Sequence, residues 1–215
     1  MTRPYTRRRD LAVHVCRRLA KLGSAYDEVA EQKPKLYTLS VGALVLELDN
    51  LIIQSLRAYA LMVVREAQAA GRITIDGRAR FCLDDEFPTI VKLAISAQPS
   101  FSNVTFAVDR KNEIKIRDPN KLRGVMQVVA GHVPQSFLNA MALNCSVFSE
   151  LRDLRNFYAH RCENTFRSAM HSNQFFARGL IRHPDQFVAE RLPGRNSPKF
   201  KDWIAETETF FAVAV

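Results

Sequence analysis

Apolar residues recur at helical spacing along most of the chain. Leu11, Val15, Leu19 and Leu22 stand three or four positions apart within 10–31, which predicts an amphipathic helix that Pro34 closes. The strongest periodic signal covers 38–70, with Ser40 as an expected cap and Gly71 as the expected stop. There Leu44, Leu48, Leu51, Ile52, Leu56, Tyr59 and Val63 form a stripe broad enough to require two or more packing neighbours. A third pattern, Val147, Leu151, Leu154 and Tyr158, steps by four, three and four, and predicts one long helix over 134–162. Shorter helices are predicted over 88–97, over 119–130 behind the cap Asp118, and over 197–215, where Trp203, Ile204, Phe210 and Phe211 make an apolar side.

Between these, the pattern weakens. Residues 72–87 read as a connector, and 101–116 alternate weakly around a polar break at 109–112, which fits either a small β-hairpin or an extended loop. Residues 163–196 are irregular, broken by Gly179, Pro184, Pro193 and Gly194. The expected architecture is therefore all-α. It is a single antiparallel helical bundle over 1–215, with a loose basic arm at 1–9 and an insertion at about 72–118.

Composition narrows the setting. A hydrophobic content of 47% can supply a sizeable core. The longest apolar stretch, 44–64, is interrupted by Glu47, Asp49, Asn50, Gln54 and Arg57, so no membrane segment is expected. The arginine-rich start does not read as a secretory signal, because no uninterrupted apolar region follows it. Cys16, Cys82, Cys145 and Cys162 lie far apart without a CxxC pair, which argues for free thiols in a reducing cytosol and against a disulfide framework or a zinc site. The formal net charge is +9, and of the 31 basic residues 22 are arginine. Such an excess attracts phosphate backbones, and the guanidinium can hold a phosphate bidentately.

No Gly-rich phosphate loop, GxSxG elbow, HExxH or carboxylate-rich metal cluster is present, so any chemistry must come from simpler groups. The segment 151–161, LRDLRNFYAHR, offers them. A histidine exchanges protons near neutral pH, and an arginine neutralises and orients a phosphate. A neighbouring amide can hold either the imidazole or a phosphate oxygen. Arg155, Asn156 and His160 are thus the candidate catalytic residues for cleaving RNA without a metal or other cofactor. Asn156 and His160 share a helix face, whereas Arg155 and His160 are about 140° apart around the axis and about 7.5 Å along it. A second copy of the helix, supplied by a symmetric dimer, would bring both groups to one phosphate more easily. The competing reading is a helix-end histidine with an arginine bonded to Asp153 or Glu163.

The motif Arg-Asn-x-x-x-His late in a long helix, together with an early helix carrying LELDNLIIQSLRAY, resembles the HEPN ribonucleases over roughly 40–70 and 120–215. The resemblance implies a HEPN-like bundle and a homodimer with a composite cleft. It also implies metal-independent endoribonuclease activity that leaves 2′,3′-cyclic phosphate ends, and a role as a toxin or antiphage-defence effector with an antitoxin or defence-system partner. Arg152, Arg161 and Tyr158 would contact substrate, and Glu47 and Asp49 would line the cleft from the early helix. Tyr158 alternatively serves packing, and the two carboxylates a polar inter-helix face. The spacing Arg-x4-His also occurs at Arg9–His14 and Arg178–His183, without the following asparagine. Where related toxins often have a tyrosine two residues after the histidine, this chain has Cys162. The alternative function is a non-catalytic HEPN-like module that binds RNA or a protein.

Overall fold

A computed structural model describes residues 7–72, 115–171, 182–191 and 194–215. These residues form helices α1 (Arg8–Gln32), α2 (Tyr37–Ala69), α3 (Pro119–Ala130), α4 (Gln135–Met141), α5 (Val147–His160), α6 (Glu163–His171), α7 (Pro184–Ala189) and α8 (Lys199–Ala214). No strand occurs among them, as the all-α expectation requires. The connector, the short helix and nearly all of the hairpin or loop expected within 72–118 lie outside the described residues.

Four boundaries differ from the periodic reading. Helix α1 begins at Arg8, inside the stretch expected to be a loose arm, because Arg8 pairs with Glu66 and lies 5.5 Å from the centre of the Tyr59 ring. Helix α2 begins at Tyr37, so Ser40 is internal and its hydroxyl donates back to the Leu36 carbonyl at 3.3 Å. The single helix expected over 134–162 is two helices, α4 and α5. Asn144 breaks it by taking a left-handed backbone (φ 49°), which asparagine tolerates better than most residues. Periodicity concealed the break because Phe137 and Ala140 before it and Val147 and Leu151 after it are all buried. The stretch expected to be irregular over 163–196 contains α6 and α7. The Asp118 cap stands as expected, its carboxylate accepting the Asn120 N–H at 2.8 Å, and α3 ends at Gly131 in the left-handed region (φ 69°).

The described residues divide into two compact units. The first holds 7–13, 53–72, 115–143 and 213–215. Its centre is Tyr59, whose ring stacks on Phe137 at 5.0 Å and whose hydroxyl donates to the Ala214 carbonyl at 2.8 Å. Ser136 donates to the same carbonyl at 2.7 Å, satisfying a C-terminal acceptor of α8.

The second unit holds 14–52, 144–171, 182–191 and 194–212. Tyr26 of α1 stacks on Phe200 of α8 at 5.1 Å and donates to the Ala189 carbonyl at 2.7 Å. Glu206 of α8 caps α5 from outside, accepting the Val147 N–H at 2.8 Å and the Ser146 hydroxyl at 2.9 Å. This places an anion at the positive end of α5. Nearby, Lys199 is buried and its charge is met by Glu150 at 2.6 Å, which also accepts the Trp203 indole N–H at 2.9 Å. A buried ammonium persists only with such partners.

Helix α2 carries the core of both units. By length and composition it could cross a membrane, but half of that segment is buried against the rest of the protein. In the second unit α5 packs directly on it. Gly42 makes this possible, since a Cβ there would lie 2.8 Å from Tyr158 Cδ1 and within 3.3 Å of two more atoms of that side chain. Tyr158 is buried and cannot swing away. Gly42→Ala would normally favour a helix by about 1 kcal/mol, but overpacking costs about 1–3 kcal/mol. We therefore expect G42A to lower the urea midpoint, whereas a control at an exposed position of α2, Asn50→Gln, leaves it nearly unchanged.

Candidate functional site

Helix α5 presents Arg155, Asn156 and His160, all in the second unit. Arg155 is held on two sides. Its Nη1 donates to Asn156 Oδ1 at 3.2 Å, and its Nε lies 3.4 Å from Asp49 Oδ2 of α2. The Asp49 side chain is 2% exposed and that of Arg155 is 22% exposed. Nε makes no hydrogen bond, so its attraction to Asp49 is electrostatic and acts in a region that water screens poorly. Because the Asn156 oxygen is engaged by Arg155, its amide nitrogen, a donor, is left for another acceptor.

His160 is the last residue of α5 and is exposed. The chain turns immediately after it: Arg161 takes a left-handed conformation (φ 46°) and its N–H donates to the Phe157 carbonyl at 2.7 Å. That conformation costs a non-glycine residue about 1–2 kcal/mol. It ends the helix at His160 and leaves the imidazole exposed beside the turn. The structure thus brings Arg155, Asn156 and Asp49 together, and the helical offset sets His160 apart from Arg155.

The other expected contacts fall in different places. Arg152 is exposed and pairs with Asp153 at 3.1 Å. Arg161 is exposed. Glu47 pairs with Arg18 of α1 rather than with α5. Asp153 and Glu163, possible surface partners for Arg155, pair instead with Arg152 and Arg167. Tyr158 is 3% exposed and belongs to the core, so the packing role applies and the ring offers no face to a base.

The Tyr158 hydroxyl enters a network that its sequence gives no hint of. It donates to Asp185 Oδ1 at 2.7 Å, while Thr38 donates to Oδ2 at 2.6 Å. Burial pushes the Asp185 carboxyl up, but hydrogen bonds from His183, Thr38 and Tyr158 more than offset it and hold the group below its ordinary value. Its stabilising effect is present above the ordinary carboxyl range and is lost as pH falls through that lowered value. Burial, then the nearby carboxylate, pushes the Tyr158 phenol far up. The imidazole of His183 stands at the start of α7, its Nδ1 3.3 Å from Asp185 Oδ2 and 3.2 Å from the Asp185 backbone nitrogen, and its ring packs against Phe157 and Phe166. The histidine of one competing Arg-x4-His match is thereby occupied structurally; its arginine, Arg178, lies outside the described residues. In the other match, burial and then Arg18 and Arg17 push the His14 imidazole down.

Cys162, two residues after His160, is exposed, and its hydrogen bond with Thr165 holds the thiol below the ordinary value. Burial pushes the Cys16 and Cys145 thiols the other way. Among the described residues, no three His, Cys, Asp or Glu side chains are grouped as metal ligands would be. No family model, curated protein or solved structure matches the chain.

The Asp49–Arg155 pair can be measured without an assay of function. Removing either partner leaves a largely buried charge, so Asp49→Ala and Arg155→Ala should each cost about 3–5 kcal/mol in urea unfolding. The double variant should cost less than the sum by about 1–3 kcal/mol. Strict additivity would mean that the two charges do not interact.

Proposed function

We propose that the chain is a metal-independent endoribonuclease of HEPN-like type, with Arg155, Asn156 and His160 as its catalytic residues. The observation that carries this reading is the Asp49–Arg155–Asn156 arrangement on the helix that His160 ends. A cation and an amide donor side by side suit the equatorial oxygens of a phosphodiester. The exposed imidazole suits proton transfer.

The reaction then proceeds by internal attack. The 2′-oxygen forms a bond to the adjacent phosphorus as a base removes its proton. The bond to the 5′-oxygen breaks as an acid supplies one. The products are a 2′,3′-cyclic phosphate and a 5′-hydroxyl. Arg155 and the Asn156 amide nitrogen stabilise the charge that develops on the non-bridging oxygens, and Asp49 keeps the guanidinium oriented as a positioning residue.

A homodimer completes the site, because the helical offset keeps His160 and Arg155 of one copy from converging easily. The exposed side of α2 supports this. Leu36, just before the helix, is 63% exposed and Leu39 43% exposed, and the exposed Ala43 and half-buried Leu46 continue the line at spacings of four and three. Such a heptad-like stripe suits packing against a second helix of the same kind. Two copies bring two histidines, one for each proton transfer. A role in toxin or antiphage systems, acting in the cytoplasm with an antitoxin or other defence partner, accords with this activity.

In excess chelator, the wild-type chain should cut RNA, and His160→Ala should lower the rate at least about a hundredfold, the ordinary worth of a general acid or base. Leu36→Asp with Leu39→Asp should convert the dimer to monomer in sedimentation and reduce cleavage with it. A chain that binds RNA, cuts nothing and remains folded would instead be a binding module.

A further inference from the structure

The positive charge of this chain is unevenly placed. The described residues of the first unit carry ten Lys and Arg against three Asp and Glu. Those of the second unit carry fourteen against thirteen. The unit that holds Arg155 and His160 is thus nearly neutral by count, and the excess of seven lies in the other.

Apart from Arg7–Arg9, where Arg8 pairs with Glu66, the positive charge of the first unit gathers at α3 and the segment leading into it. Lys115, Arg117, Lys121 and Arg123 occur within nine residues. Lys115, Lys121 and Arg123 are exposed. The one acidic residue of that stretch, Asp118, is engaged as the helix cap. Lys121 stands in the first turn of α3, where the helix dipole disfavours a cation, so its charge gains the helix nothing.

We infer that this basic surface of the first unit, centred on Lys115, Lys121 and Arg123, binds the phosphate backbone of RNA. The polyanion is named from the ribonuclease reading above; cleavage itself is not assumed. Two features favour a nucleic acid over a membrane. Helix α3 buries its apolar side chains, Leu122, Val125, Met126 and Val129, and none of the exposed large hydrophobic residues falls between 115 and 131. A helix that docks on lipid presents such residues outward. The exposed neighbours here are Asn120 and Gln127, whose amides can bond phosphate and sugar oxygens.

The test uses the full chain with His160→Ala, so that RNA is bound without being consumed. Affinity for a labelled single-stranded RNA of mixed sequence is followed by anisotropy against salt. A variant with Lys115→Gln, Lys121→Gln and Arg123→Gln is compared with a control that loses the same charge from the second unit, Lys21→Gln, Lys33→Gln and Lys35→Gln, all exposed. Loss of three phosphate contacts should flatten the slope of log K against log salt by about 2, and weaken binding at moderate salt by at least about tenfold. The control should change both far less. Equal weakening by the two variants would overturn the assignment, as would no binding of RNA by the parent chain. Tighter binding of phosphatidylserine vesicles than of RNA through the same three residues would overturn it as well. If binding follows the prediction but the wild-type chain never cuts RNA, the ribonuclease reading fails and this surface stands.

Discussion

Helix α5 can lie on α2 only because position 42 lacks a side chain. With Gly42 under the Tyr158 ring, the two helices come close enough for Asp49, about two turns after Gly42, to reach Arg155, about one turn before Tyr158. Everything proposed for the site follows from that approach. Asp49 and Arg155 set an anion against a cation 3.4 Å away, where water screens their attraction poorly. Each fixes the other, and Arg155 in turn engages the Asn156 oxygen. On the far side of the same ring, the Tyr158 hydroxyl meets Asp185, which ties α5 to α7 and to Thr38 at the start of α2.

The end of α5 follows a different rule. Helix α5 is capped at its start by Glu206 and stopped at its finish by the left-handed turn at Arg161. The turn leaves His160 exposed while Arg155, five residues earlier, is half-buried. One side chain is open to water, and the other is oriented and shielded. That division of labour suits phosphoryl transfer, in which positioning and charge stabilisation do most of the work.

The apolar stripes of α1, α2 and α5 were legible in the sequence because burial alone sets their period. Leu11, Leu48 and Leu154 all lie where the pattern put them. The gap at Asn144 was not, since a helical break that keeps both flanks buried leaves the count of apolar positions unchanged. Helix α7 was masked by Pro184, which reads as a breaker but stands in the first turn, where no N–H is needed. The arginine–asparagine–histidine spacing could be read directly. Its partner could not: Asp153 and Glu163, the carboxylates open to Arg155, pair with other arginines, and Asp49, expected only to line the cleft, stands beside it instead. The Asp185 network had no local signal, because its members come from three separate segments.

The chemistry of the cut ends tests the mechanism most directly. RNA cleaved by the wild-type chain in excess chelator would be analysed by mass spectrometry. Internal attack by the 2′-hydroxyl, with Arg155 and His160 at the phosphate, leaves 2′,3′-cyclic phosphate and 5′-hydroxyl ends. Fragments with 3′-hydroxyl and 5′-phosphate ends would contradict it, since they require water as the nucleophile.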